Sequence, residues 1–124
     1  MAAAQVNPLP RVLSRESGEH ELFVLALAVE DLCFQGHFPD NPIVPGVVQV
    51  DWAIRFGQEA FGPLGDFQGI MNLKFMDLTR PGERLELYLN WDPGSGRLGF
   101  RYLAQSGRKS IGIVLFSAPV AGSL

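Results

Sequence analysis

A chain of 124 residues that is 47% hydrophobic and 19% charged has enough apolar side chain for one packed core, which excludes a disordered or fibrous protein. Its formal charge of −3 argues against wholesale nucleic-acid binding, yet the charge is uneven: residues 1–92 hold all 13 acidic groups and 6 of the 10 basic ones, and residues 93–124 hold the other 4 basic groups. The first residues, Met1 to Val6, lack the basic flank and apolar centre of a secretory signal, and the longest clean apolar run is far short of the roughly 20 residues that cross a bilayer. The expectation is one domain over 1–124, ordered from about 11 to 119, cytoplasmic and without membrane contact.

The chain has a single cysteine, Cys33, and two histidines, His20 and His37, so no internal disulfide can form and no complete zinc site is evident. Cys33 reads as a small buried hydrophobe, and neither metal nor cofactor is called for.

In chain order, Leu22 to Val29 (LFVLALAV) is apolar on both faces and ends at Glu30 and Asp31, which suits a strand placed centrally in a sheet. Gly36 to Gly46 (GHFPDNPIVPG) has prolines at 39, 42 and 45 and cannot propagate helix or central strand, so it reads as a stiff extended loop. Val47 to Phe61 has helix length, a start marked by Pro45 and Gly46 and a stop at Gly62-Pro63. Apolar residues go almost all the way round it until Gln58 and Glu59, which predicts a buried helix, with Trp52, Phe56 and Phe61 as core.

From Phe67 onward the period becomes two, most cleanly where Leu85, Leu87, Leu89 and Trp91 alternate with Glu86, Tyr88 and Asn90. Strand segments near 67–79, 84–92, 97–105 and 109–117, separated by Pro81-Gly82, Asp92 to Gly96 and Ser106-Gly107, predict a four-strand meander. Gly94 to Gly99 (GSGRLG) formally matches GxGxxG but precedes a strand, so it reads as a hairpin turn rather than a nucleotide site. Arg97, Arg101, Arg108 and Lys109 form a locally basic C-terminal patch, read as solvated hairpin charges able to steer an acidic partner.

One long helix preceded by one or two strands and followed by four implies an α+β hot-dog fold, a curved antiparallel sheet wrapped around a central helix. Open sheet edges and an incompletely covered helix point to at least a dimer.

Gly36 to Asp51 (GHFPDNPIVPGVVQVD) resembles the motif GHFPxxPxxPGVxxx followed by Glu or Asp of the 3-hydroxyacyl-acyl carrier protein dehydratases. Gly36, His37, Phe38, Pro39, Pro42, Pro45, Gly46, Val47 and Asp51 all stand at family spacing, and looser similarity covers Phe34-Gln35, Phe75 and Arg80-Pro81-Gly82. Asp51-Trp52 with Arg55, where the common pattern has Gln, looks like the small dehydratases of polyketide-like or aryl polyene pathways, including the ApeI-like group.

The resemblance implies that His37 removes the C2 proton of a 3-hydroxyacyl thioester on acyl carrier protein, that Asp51 protonates the departing C3 hydroxyl, and that the Gly46 amide holds the thioester carbonyl. It also implies sites built across a dimer interface, between two copies or with a related hot-dog subunit, and an apolar tunnel beside the helix.

Histidine, with a reference pKa of about 6.5, suits proton abstraction near neutrality. A carboxyl acting as acid there needs its reference value of about 3.9 raised by roughly three units, which burial by apolar neighbours can supply and pairing with Arg55 one turn on opposes. Two other readings stay open at this point: a hot-dog acyl thioesterase, and a non-catalytic acyl- or protein-binding module.

Overall fold

The computed structural model describes residues 9–27, 43–80 and 82–117. Six strands and one helix follow one another as β1 (Arg11–Ser17), β2 (Glu21–Ala26), α1 (Gly46–Phe61), β3 (Asp66–Phe75), β4 (Arg84–Asp92), β5 (Arg97–Ala104) and β6 (Gly107–Ser117). They form one antiparallel sheet in the order β1-β2-β4-β5-β6-β3, and the hot-dog architecture is present.

Alternation along the strands builds the core. Phe23 and Leu25 of β2, Leu85, Leu87 and Leu89 of β4, Leu98, Phe100 and Tyr102 of β5, and Val114 and Phe116 of β6 are buried on the helix side. Val48, Trp52, Ala53 and Phe56 of α1 meet them, with the Phe23 and Phe56 ring centroids 4.7 Å apart. Phe61 is half-buried at the edge of this cluster. The helix stops where Gly62, at φ 82°, turns the chain and donates its amide to Gln58 O at 2.9 Å.

Several expectations need correction. The meander has three strands, β4 to β6, because both sides of β4 are occupied by β2 and β5; β3 pairs instead with β6 and forms an edge. β2 is interior as expected, but only Phe23 and Leu25 are buried; Leu22 and Val24 lie half-buried on the outer face, which no second layer covers among the described residues. Among the described residues the helix is covered on one flank only: Val47 is 77% exposed, since a single six-stranded sheet cannot enclose it. Lys109 is no solvated hairpin charge; it is 2% exposed, with Nζ 3.0 Å from Asp77 Oδ2 and 3.7 Å from Glu83 Oε2. Arg101 lies over the Tyr88 ring at 4.4 Å.

The turn at Asp92–Gly96 is fixed chemically. Asp92 accepts from Gly94 N at 3.1 Å and Ser95 Oγ at 2.8 Å, and Gly96 stands at φ 71° with its Cα pressed on the Phe116 carbonyl, where a Cβ would come within 2.1 Å of the oxygen. The Ser95 and Gly94 bonds hold the Asp92 carboxyl below its ordinary range, and the Lys109 and Leu78 bonds do the same for Asp77. A carboxyl depressed in the folded state contributes stability above its unfolded pKa and loses it as pH falls through the folded value. The melting temperature is therefore expected to fall on acidification below the ordinary carboxylate range, and the Asp77→Asn, Asp92→Asn double variant to show a flatter acid limb by calorimetry.

Candidate active site

The site is organised by the start of α1. Pro45, at φ −59° and ψ 150°, precedes the helix, and its carbonyl accepts from Val48 N at 3.1 Å and Gln49 N at 3.2 Å. That leaves the first-turn amides of Gly46 and Val47 without a bond to any described residue, at the positive end of the helix dipole. Such a pair of donors suits a developing oxyanion.

Gly46 lets a neighbouring ring approach the helix start closely. A Cβ there would sit 2.5 Å from Phe75 Cζ, so the aromatic ring of β3 lies directly on the helix start. Gly46, Val47, Val50, Ile70, Leu73 and Phe75 line an apolar cavity of about 250 Å³ at this point. Gly46→Ala is expected to cost about 1–3 kcal/mol through overpacking, read by chemical denaturation, and adding Phe75→Leu to recover part of it.

Val47, Asp51 and Arg55 follow at successive turns on the uncovered flank. The Asp51 carboxylate is 40% exposed and bonds Arg55 Nη1 at 3.3 Å. At 40% exposure Asp51 lacks the expected desolvation by apolar neighbours, and no layer among the described residues covers the helix face that carries it. The Asp51 charge is still felt inside: it adds to the burial that pushes the Tyr102 phenol well above its ordinary value.

The structure places Gly46 at the cavity and pairs Asp51 with Arg55 on the uncovered flank of the same helix. His37 lies outside the described residues, as do Cys33, Phe34-Gln35, Pro81 and most of the Gly36–Gly46 loop. Sequence reasoning missed Gln49, a polar side chain 3% exposed within the run VVQV; its only signal was a lone amide on an otherwise apolar helix face. Among the described residues no three His, Cys, Asp or Glu side chains converge as a metal site, and no helix is long and apolar enough to cross a membrane.

Comparison with known proteins follows the same lines. Residues 14–112 match the family model of ApeI-like dehydratases. A 3-hydroxyacyl-[acyl-carrier-protein] dehydratase, FabZ, of Latilactobacillus sakei is 33% identical over 73% of this chain and 70% of its own length. The FabZ of Caldanaerobacter subterraneus is 36% identical over 66% of this chain, which spans 63% of that relative. The dehydratase heterocomplex ApeI:P from Xenorhabdus doucetiae superposes with a TM-score of 0.81 at 34% identity, covering 87% of this chain and 97% of that one. With the family match over most of the chain, the sequence identity and the structural superposition in agreement, the chain belongs to the ApeI-like dehydratase family and is a hot-dog dehydratase.

Proposed function

We propose that this chain removes water from a 3-hydroxyacyl thioester carried by acyl carrier protein, giving the 2-enoyl thioester during fatty acid or polyketide-like (aryl polyene) biosynthesis. The observation that carries the reading is the conjunction, in a chain of this family, of Gly46 and Val47 amides with no bond to any described residue, an apolar cavity lined by the same two residues, and the Asp51 carboxyl one turn beyond Val47.

In this reading the Gly46 amide binds the thioester oxygen, where one such donor is worth about 3 kcal/mol as negative charge builds up. His37 takes the C2 proton, the C2=C3 double bond forms, and the C3–O bond breaks as Asp51 delivers a proton so that water leaves. Solvent exchange returns Asp51 to its acid form and His37 to its base form.

Asp51 needs a covering layer for that role, and β3 offers the means. It is a sheet edge with Phe67, Ile70, Leu73 and Phe75 exposed, continuous with the exposed Val47. Two copies, or this chain with a related hot-dog subunit, pair along this edge and shield the Asp51 flank; the Xenorhabdus relative was solved as a heterocomplex. The reading places the reaction in the cytoplasm, with acyl carrier protein as the partner that presents the substrate.

One alternative is an acyl thioesterase, in which the Asp51 carboxylate, paired with Arg55, activates water for attack on the thioester. Mixing the protein with a 3-hydroxyacyl pantetheine thioester separates them. Growth of the conjugated enoyl-thioester absorbance supports dehydration, release of free thiol supports hydrolysis, and binding without either change supports a non-catalytic acyl-binding module.

A further inference from the structure

Gln49 is a buried polar side chain to which the proposed chemistry gives no part. Its Nε2 donates to Val44 O at 3.1 Å and to Thr79 Oγ1 at 3.4 Å, and its Oε1 accepts from Ser110 Oγ at 2.7 Å. Its peptide oxygen accepts from the Tyr102 hydroxyl at 2.7 Å. Both amide hydrogens and the amide oxygen are thus engaged. Four separate segments converge on this residue: the end of the motif loop, the link between β3 and β4, β5 and β6.

A valine would fill an apolar helix face at no desolvation cost, as Val48 and Val50 do on either side, so burying an amide there has to bring something else. What it brings is control of one peptide plane. Val44 N, in the preceding peptide, donates to Thr79 O at 2.7 Å, and Val44 O, in the Val44–Pro45 peptide, is held by Gln49, so both peptide planes that meet at Val44 are anchored to the same neighbours. Pro45 has its φ locked by the ring, and Val44 is restricted by the proline that follows it. Once Val44 O is fixed, the only soft torsion left before the Gly46 amide is ψ of Pro45. That torsion is set in turn by the bonds from Val48 N and Gln49 N to Pro45 O.

We propose that Gln49, braced by Ser110, is a positioning residue that aims the Gly46 amide. The catalytic meaning of that amide rests on the proposed dehydratase reading; the positioning itself does not. Gln49 touches no reacting atom and acts only through the peptide it holds.

The test uses Gln49→Leu in the full chain, read in two ways. By amide NMR, exchange at the Val44 N–H is expected to speed up about tenfold or more, and the Gly46 and Val47 amide shifts to move, while β4 and β5 amides keep their protection. In turnover of a 3-hydroxyacyl thioester, kcat is expected to fall about tenfold with KM within about threefold, the pattern of lost transition-state alignment. Ser110→Ala, which leaves Gln49 in place but unbraced, should move both readouts the same way by less, and the double variant should be no worse than Gln49→Leu alone. If Gln49→Leu does not fold, Ser110→Ala carries the same two readouts. Unchanged Val44 exchange and Gly46 shifts in a folded variant, or an unchanged kcat, would overturn the proposal. A wild-type protein without dehydration would sink the functional reading instead, and the amide readout would still decide the positioning role.

Discussion

Replacing His37 by alanine is expected to slow dehydration of a carrier-bound 3-hydroxyacyl chain by about 10²–10⁴-fold, the usual contribution of one positioned acid–base group. The expectation rests on chemistry as well as on the motif. Removing a proton next to a thioester near neutrality needs a base with a pKa close to the working pH, and an ordinary imidazole meets that need without special surroundings. The loss should appear in kcat and in kcat/KM alike, because a base acts in the transition state and contributes little to substrate binding. Steady-state kinetics of His37→Ala and His37→Gln check this; turnover within threefold of wild type in either variant would remove His37 from the mechanism.

Trp52→Ala carries the largest expected effect on stability. Trp52 is fully buried at the centre of α1, on the face packed against the sheet, and its truncation leaves a cavity that the surrounding β4 and β5 leucines can only partly fill. Large aromatic deletions of this kind cost about 3–5 kcal/mol. In a domain of this size that lowers the melting temperature by about 10–20 °C. Phe61→Ala, at the half-buried end of the same helix, should cost clearly less. Differential scanning calorimetry of the two variants side by side decides whether the helix is anchored at its middle or at its end.

Features legible in the sequence were those whose cause is local. Pro45-Gly46 and Gly62-Pro63 bound the helix within one residue, since ring geometry and backbone freedom act on their immediate neighbours. The Asp92–Gly96 turn could be read because an aspartate before Pro-Gly-Ser-Gly supplies its own acceptors. The alternation from Leu85 to Trp91 gave β4 directly, with both ends as expected.

Features that depend on distant partners were not legible. Nothing in the β3 residues tells that they pair with β6 rather than with β4, because the choice depends on β2 having taken the far side of β4. Lys109 read as a surface charge since its partners, Asp77 and Glu83, sit outside its own hairpin. Periodicity counted the apolar residues of α1 correctly but said nothing of how many layers cover them, so Asp51 came out more exposed than expected. Of the candidate site, the residue types and spacing of Gly46, Asp51 and Arg55 were visible in the motif; the Phe75 ring on Gly46 and the Gln49 bonds required the folded chain.

The most direct test of the account is the mass of a 3-hydroxyacyl-loaded acyl carrier protein followed over time with wild-type protein and with Asp51→Asn. The account predicts that wild type shifts the carrier toward a species lighter by one water while the thioester stays intact, and that Asp51→Asn leaves it largely unshifted. A carrier that keeps its full mass with wild-type protein, or that loses its acyl group altogether, would contradict it.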